Sequence, residues 1–160
     1  MLKIISLIWF LLIFSTNAYS AGSDSTPKKV KSDYDKAVES IKFAKKYEKK
    51  GKVEKAKKRY EKAQKFLFKS NQSKPNQADT LNYLGFTTRK LGDFENGEKY
   101  YLQGLAIDPN HKGINEYLGE LYVATKRHNL AIERLEVLKG CNCVEYEQLK
   151  AVIAGEPSKY

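Results

Sequence analysis

Cysteine, histidine and arginine are scarce in this 160-residue sequence, with two, two and four of each. Two cysteines, Cys141 and Cys143, cannot make a disulfide-dense scaffold. Two histidines, His111 and His128, leave few general bases, and there is no Gly-rich phosphate loop, no His-Glu-x-x-His and no nucleophile elbow. The chain therefore reads as a non-enzyme, with no cofactor assigned. Of its 29 basic residues, only Arg59, Arg89, Arg127 and Arg134 are arginines. Lysine is a hydrated point charge without the fork used for bidentate base or phosphate contacts, which argues against specific nucleic-acid readout. Long apolar runs are missing too: none approaches the ~20 residues that a membrane-spanning helix needs.

What is present is enough for one modest domain. The formal net charge is +10, 41% of residues are hydrophobic, and 11 Tyr and 7 Phe supply the large side chains of a core. Lys3, the apolar run from Ile4 to Phe14 and then Ala18-Tyr19-Ser20 read as a secretory signal over residues 1–20, cleaved after Ser20. No cysteine near that position would carry a lipid. A periplasmic or secreted location follows as an expectation, the bacterial periplasm fitting best. The sequon Asn71-Gln72-Ser73 leaves a eukaryotic secretory route open. Residues 21–32, poor in large apolar side chains, read as a flexible leader.

From about Tyr34 the apolar residues recur at helical spacing. Tyr34, Ala37, Ile41, Ala44 and Tyr47 form one stripe, and Val53, Ala56, Tyr60, Ala63 and Leu67 a second. Gly51, Gly92, Pro75, Asp108-Pro109 and Gly140 interrupt the stripes, and Asp93, Asn110 and Asn142 stand where helix caps belong. The segments also repeat. Leu84-Gly85 and Leu118-Gly119, Gly97 and Ala131, and Tyr101 and Leu135 are each 34 residues apart. An earlier copy, through Phe43-Ala44, Ala56 and Tyr60, aligns at 41, with the extra residues in the polar stretch Ser70–Gln77, where a loop is expected.

With Leu118-Gly119-x2-Tyr122, Leu81-x2-Leu84-Gly85, Gly97-x3-Tyr101 and Asp108-Pro109, the chain resembles the tetratricopeptide repeat family. The resemblance implies an all-α fold: three antiparallel helix pairs, about 37–70, 78–111 and 112–140, stacked as a short right-handed solenoid within 33–155. After them, Tyr146, Leu149, Val152 and Ile153 predict a capping helix over 143–154, with Asn142 and Glu145 spaced as a capping box. Gly85, Gly119 and Ala44 would allow close helix crossings opposite Gly97, Ala131 and Ala56.

In this family the first helices of successive repeats line a concave groove that holds partner segments. Helical spacing nominates Asn82, Phe86, Arg89, Lys90, Glu116, Glu120 and Val123 as its lining, with Ile41, Lys45 and Glu48 from the first repeat. Phe86 would be an outward aromatic anchor beside Arg89. Glu116 and Glu120 depart from the subgroup that clamps acidic tails, so a segment bearing an apolar and a basic side chain suits the groove better. The expected function is a non-enzymatic scaffold that docks another protein or peptide.

Two further features leave alternatives open. Residues 28–74 hold 18 basic and 6 acidic side chains, a balance of +12, against 10 and 12, or −2, in residues 75–160. That lysine-rich repeat is either a solvated face or a weak electrostatic contact for an anionic membrane surface. Cys141-Asn142-Cys143 allows a disulfide across one residue, a thiol-redox pair or, with His111, a metal site. The alternative function is thus a small thiol-redox or metal-binding protein.

Overall fold

A computed structural model of the chain describes residues 30–159. The expected signal, residues 1–20, and the leader up to residue 29 lie outside the described residues. Among those described there are seven helices and no strand: α1 (Asp33–Glu48), α2 (Val53–Ser73), α3 (Ala78–Lys90), α4 (Phe94–Ile107), α5 (Lys112–Ala124), α6 (His128–Leu138) and α7 (Val144–Ile153). The closest packing is within α1/α2, α3/α4 and α5/α6, and the pairs stack through α2 on α3 and α4 on α5. The array ends with α7 lying on α5 and α6. This is the predicted three-pair stack with a seventh helix over its end. No described helix is long and apolar enough to cross a membrane.

Local chemistry sets the helix ends. Ser32 and Asp35 form a reciprocal capping box on α1, and the Asp93 carboxylate accepts the Asn96 N–H at the start of α4. Gly51, Gly92 and Gly140 take left-handed φ values of 64°, 96° and 82° after α1, α3 and α6, where a side chain would be strained. Two expected caps are wrong. His111, not Asn110, caps α5, its Nδ1 accepting the Ile114 N–H at 3.1 Å. Asn142 and Glu145 make no capping box: Cys143 is the N-cap of α7 and has no side-chain cap bond. A Cys141–Cys143 disulfide holds the two Cα atoms 5.2 Å apart, and Asn142 between them sits at φ 47°, in a tight turn rather than at a helix entry.

The inserted residues also behave differently from a loop. α2 runs for 21 residues through Ser73, so half of the polar stretch Ser70–Gln77 is helix. Buried Ser70 anchors it, its carbonyl accepting the Lys74 N–H and the Ser73 hydroxyl.

Small residues fix the helix crossings. A Cβ on Gly85 would stand 2.5 Å from Tyr101 Cε1, and one on Gly97 3.2 Å from the Gly85 carbonyl oxygen, so α3 and α4 touch because both positions lack side chains. Gly104 similarly makes room for the Ile114 methyl. Gly119 accommodates a different neighbour from the one expected: its missing Cβ would lie 2.5 Å from Leu149 Cδ2, so α7 seats its buried leucine in a notch of α5. The capping helix is therefore keyed into the last repeat as well as covering it.

Candidate functional site

The inner face is built by α1, α3 and α5, with α7 closing one side. Its centre is a buried ridge. Arg89 Nη2 on α3 meets Glu120 Oε2 on α5 at 2.9 Å, their side chains 7% and 1% exposed. Beside it, Lys90 pairs with Glu48 of α1 at 2.7 Å. Lys45 lies 4.6 Å above the Phe86 ring centre and donates to the Tyr117 hydroxyl at 3.3 Å. Burial brings the Lys45 ammonium down to about 8, although Glu116 and Glu120 support its charge.

That geometry overturns the expected role of Phe86. It is 0% exposed, with its ring 4.9 Å from Tyr117 and 5.8 Å from Tyr60, so it is core and not an outward anchor. The physical reason is Lys45, which reaches across from α1 and seals the ring. Ile41 is also core rather than lining. Arg89 and Glu120 do face inward, but largely toward each other.

On either side of the ridge the inner face opens into a cavity. One, of about 480 Å³, lies at the C-terminal ends of α3 and α5, where Glu48, Lys90, Val123, Val152, Gly155 and Ser158 contribute walls. The chain beyond α7 folds back over it, and the Ser158 hydroxyl donates to Glu120 Oε2 at 3.0 Å. The other, of about 460 Å³, lies at the N-terminal ends and includes Asp79, Asn82, His111, Glu116, Tyr117 and Glu145. Because His111 Nδ1 accepts the helix N–H, its Nε2 carries the proton and donates to Asp79 at 3.2 Å.

Thus Lys90 and Val123 reach the first cavity and Asn82 and Glu116 the second. Sequence reasoning missed Tyr117, Asp79, Glu145 and the segment Gly155–Ser158. Tyr117, three residues before Glu120, was within reach of helical spacing, and Glu145 was read only as a cap. Nothing periodic marks the chain after Ile153.

Burial, reinforced by Glu120 and Glu145, pushes the Glu116 carboxyl up from 4.5 to about 8. The folded protein therefore holds a proton that the unfolded chain has released between those values. The associated stability is fully present below pH 4.5 and is lost as pH rises through 8. Lys45 acts oppositely and at higher pH, its stabilising change lying between about 8 and 10.5. Glu116→Gln should accordingly gain about 2–4 kcal/mol over wild type at pH 8 and almost nothing at pH 5. Thermal unfolding of both proteins at the two pH values checks this, and parallel curves would contradict it.

The two cysteines are joined, as the disulfide expectation has it; the bond is also the oxidised form of a thiol-redox pair, whereas metal ligation would need both thiols free. Among the described residues no group of three or more His, Cys, Asp or Glu side chains could hold a metal ion.

Comparison with known proteins gives a family match over one repeat. Residues 78–111, which span α3, α4 and the turn after them, match the family model described as tetratricopeptide repeat. No curated protein matches the sequence. Among solved structures, the chain is similar to the first TPR of Spaghetti (RPAP3) bound to HSP90 peptide SRMEEVD, at 19% identity and TM-score 0.47, over 78% of this chain and 98% of that one. It is also similar to the type III secretion translocator chaperone SycD of Yersinia enterocolitica, at 16% identity and TM-score 0.46, over 75% of this chain and 87% of that one.

Proposed function

We propose that this chain, a tetratricopeptide-repeat protein through residues 78–111, is a non-enzymatic scaffold that docks a segment of another protein along its inner face. The observation that carries the reading is the cavity of about 480 Å³ whose walls come from all three helix pairs' first helices and from α7. Val123 and Val152 give it apolar surface, while Lys90 and Glu48 border it with charge, the mixture a peptide-docking cleft needs. Glu116 and Glu120 stand on the same face where a clamp for an acidic tail would need basic side chains, which disfavours such a tail as the occupant.

The scaffold works outside the cytosol, in a bacterial periplasm. Support comes from the Lys3, Ile4–Phe14 and Ala18–Ser20 pattern and from the Cys141–Cys143 disulfide, a bond that persists in oxidising compartments. The lysine-rich first repeat adds a weak, salt-screened attraction to anionic membrane surface.

Immobilised mature protein should capture a defined set of envelope proteins, quantified by mass spectrometry. Val123→Arg fills the cavity wall at a half-buried position and should reduce capture at least ~10-fold. Leu102→Arg, on the exposed outer side of α4, and Cys141→Ser with Cys143→Ser should retain it. If the cysteine variant loses its partners while Val123→Arg keeps them, the thiol reading replaces the scaffold.

A further inference from the structure

The second cavity has a chemistry of its own. Two of its polar side chains are more than nine-tenths buried and each leaves an atom without a hydrogen-bond partner: Glu116 Oε1, in a residue 3% exposed, and Asn82 Oδ1, in one 6% exposed. Asn82 Oδ1 is an acceptor, and both Glu116 oxygens become acceptors once its carboxyl gives up its proton. Asp79, Asp108 and Glu145 add carboxylates to the walls, and His111 commits its one N–H to Asp79. Lys112, exposed at the rim, is the only ammonium among the lining residues. In a chain with formal net charge +10, this is a local concentration of carboxyl and amide oxygens, two of them buried and unpaired.

We propose that this cavity receives a basic side chain, a lysine ammonium or an arginine guanidinium, carried by the docked partner segment. The proposal rests on the docking reading above and names the chemistry that one end of the inner face recognises. An ammonium offers three N–H donors and a guanidinium five, enough to satisfy Glu116 and Asn82 together, and the rings of Tyr83 and Tyr117 line the same space for the cation and its stem. The described His, Cys, Asp and Glu side chains form no group that could hold a metal ion, so an organic cation fits better. Gly113 keeps the space open. A Cβ there would lie 2.8 Å from Asn82 Nδ2, and the residue is inside α5 with ordinary helical backbone, where alanine would favour the helix.

Spacing argues for a side chain of the partner over a free amine. Asn82 and Arg89 on α3, and Glu116 and Val123 on α5, are each two helical turns apart, so the two cavities are separated by roughly 10 Å along one face. An extended segment covers that distance in about three residues. The partner motif is then a basic residue and an apolar residue about three positions apart, one for each cavity.

Cation binding is linked to protons. Glu116 faces Glu120, Arg89 and Lys45 across the ridge and Asp79, Asp108, His111, Lys112, Tyr83, Tyr117 and Glu145 around the cavity. With its carboxyl near 8, pairing with a cation at pH 7 releases the Glu116 proton to solvent, so affinity rises from pH 6 to about 8 and then levels.

The test is an NMR titration of the mature chain with N-acetyl-lysine methylamide, its neutral norleucine counterpart and 1,4-diaminobutane. The lysine probe should shift the amides of Asn82, Gly113 and Glu116 saturably, and norleucine should not. Glu116→Gln and Gly113→Ala should each weaken the lysine probe at least ~10-fold, and the gain in affinity from pH 6 to 8 should be lost in Glu116→Gln. Equal behaviour of the lysine and norleucine probes, or unchanged lysine binding in Glu116→Gln, would overturn the proposal. Tighter binding of diaminobutane by ~10-fold would overturn it in favour of a free diamine. Lysine-probe binding with partner capture untouched by Glu116→Gln would remove the partner's side chain from the cavity and overturn it as well. Absent probe binding alongside loss of capture in Val123→Arg would sink the cation site and leave the docking reading standing.

Discussion

Arg89→Ala should lower the stability of the fold by about 3–5 kcal/mol, because it strands a buried carboxylate. Glu120 is 1% exposed, its Oε2 depends on Arg89 at 2.9 Å, and its Oε1 already has no hydrogen-bond partner. Ser158 donates one bond to it, which does not replace a guanidinium. The contrast that isolates the charge is Arg89→Met combined with Glu120→Leu, which removes both charges and fills the space. That double variant should lie within ~1.5 kcal/mol of wild type, since well-packed apolar replacements of a buried pair are often neutral. Urea unfolding of the three proteins decides it. A loss of under ~1 kcal/mol in Arg89→Ala would mean that water reaches the pair and that the ridge is not buried in solution. Arg89 is for this reason a poor probe of binding, and so is fully buried Phe86, whose truncation to alanine would itself cost about 3–5 kcal/mol.

Removing Val144 to Tyr160 should destabilise the remaining chain by several kcal/mol, on the ~25 cal/mol/Å² scale for buried apolar area. Leu149 is fully buried in the Gly119 notch, and Val152 and Ile153 are partly covered on the same helix. Leu149→Ala alone should cost about 2–5 kcal/mol, a measure of how well the notch collapses. The truncation has a second signature. It takes away Glu145 and the cover over the inner face, so the Glu116 carboxyl should return toward the ordinary carboxylate range and the loss of stability between pH 5 and 8 should shrink. An unchanged melting temperature would remove the capping role of α7.

The architecture was legible because it rests on residues whose spacing is set by backbone contact. Gly85, Gly97 and Gly119 sit where helices touch, and no other residue type leaves that room. Left-handed Gly51, Gly92 and Gly140 mark the turns for the same local reason. The site was less legible. A period of 3.6 residues says which face of α3 Phe86 occupies, but not that Lys45 from α1 will lie over it. Asn82 and Glu116 were found by spacing, yet their burial with unpaired oxygens, and the approach of Glu145 from α7, are tertiary facts that a helical period does not carry. The Asn142 cap failed because a disulfide two residues long overrode a helix-entry pattern, and the Ser70–Gln77 loop shortened because Ser70 found cover. Tail packing that brings the Ser158 hydroxyl to Glu120 has no local sequence signature.

The central claim is that a partner segment lies along the inner face, and site-specific photo-crosslinking in intact cells tests it most directly. A benzophenone side chain placed at position 123 or 90, on the wall of the first cavity, is compared with one at position 102, exposed on α4. Positions 123 and 90 should crosslink to one short stretch of a single partner, with a basic residue about three positions from the adduct, while position 102 gives none. Adducts that form at 102 as readily as at 123, or that scatter over unrelated sequences, would contradict the account.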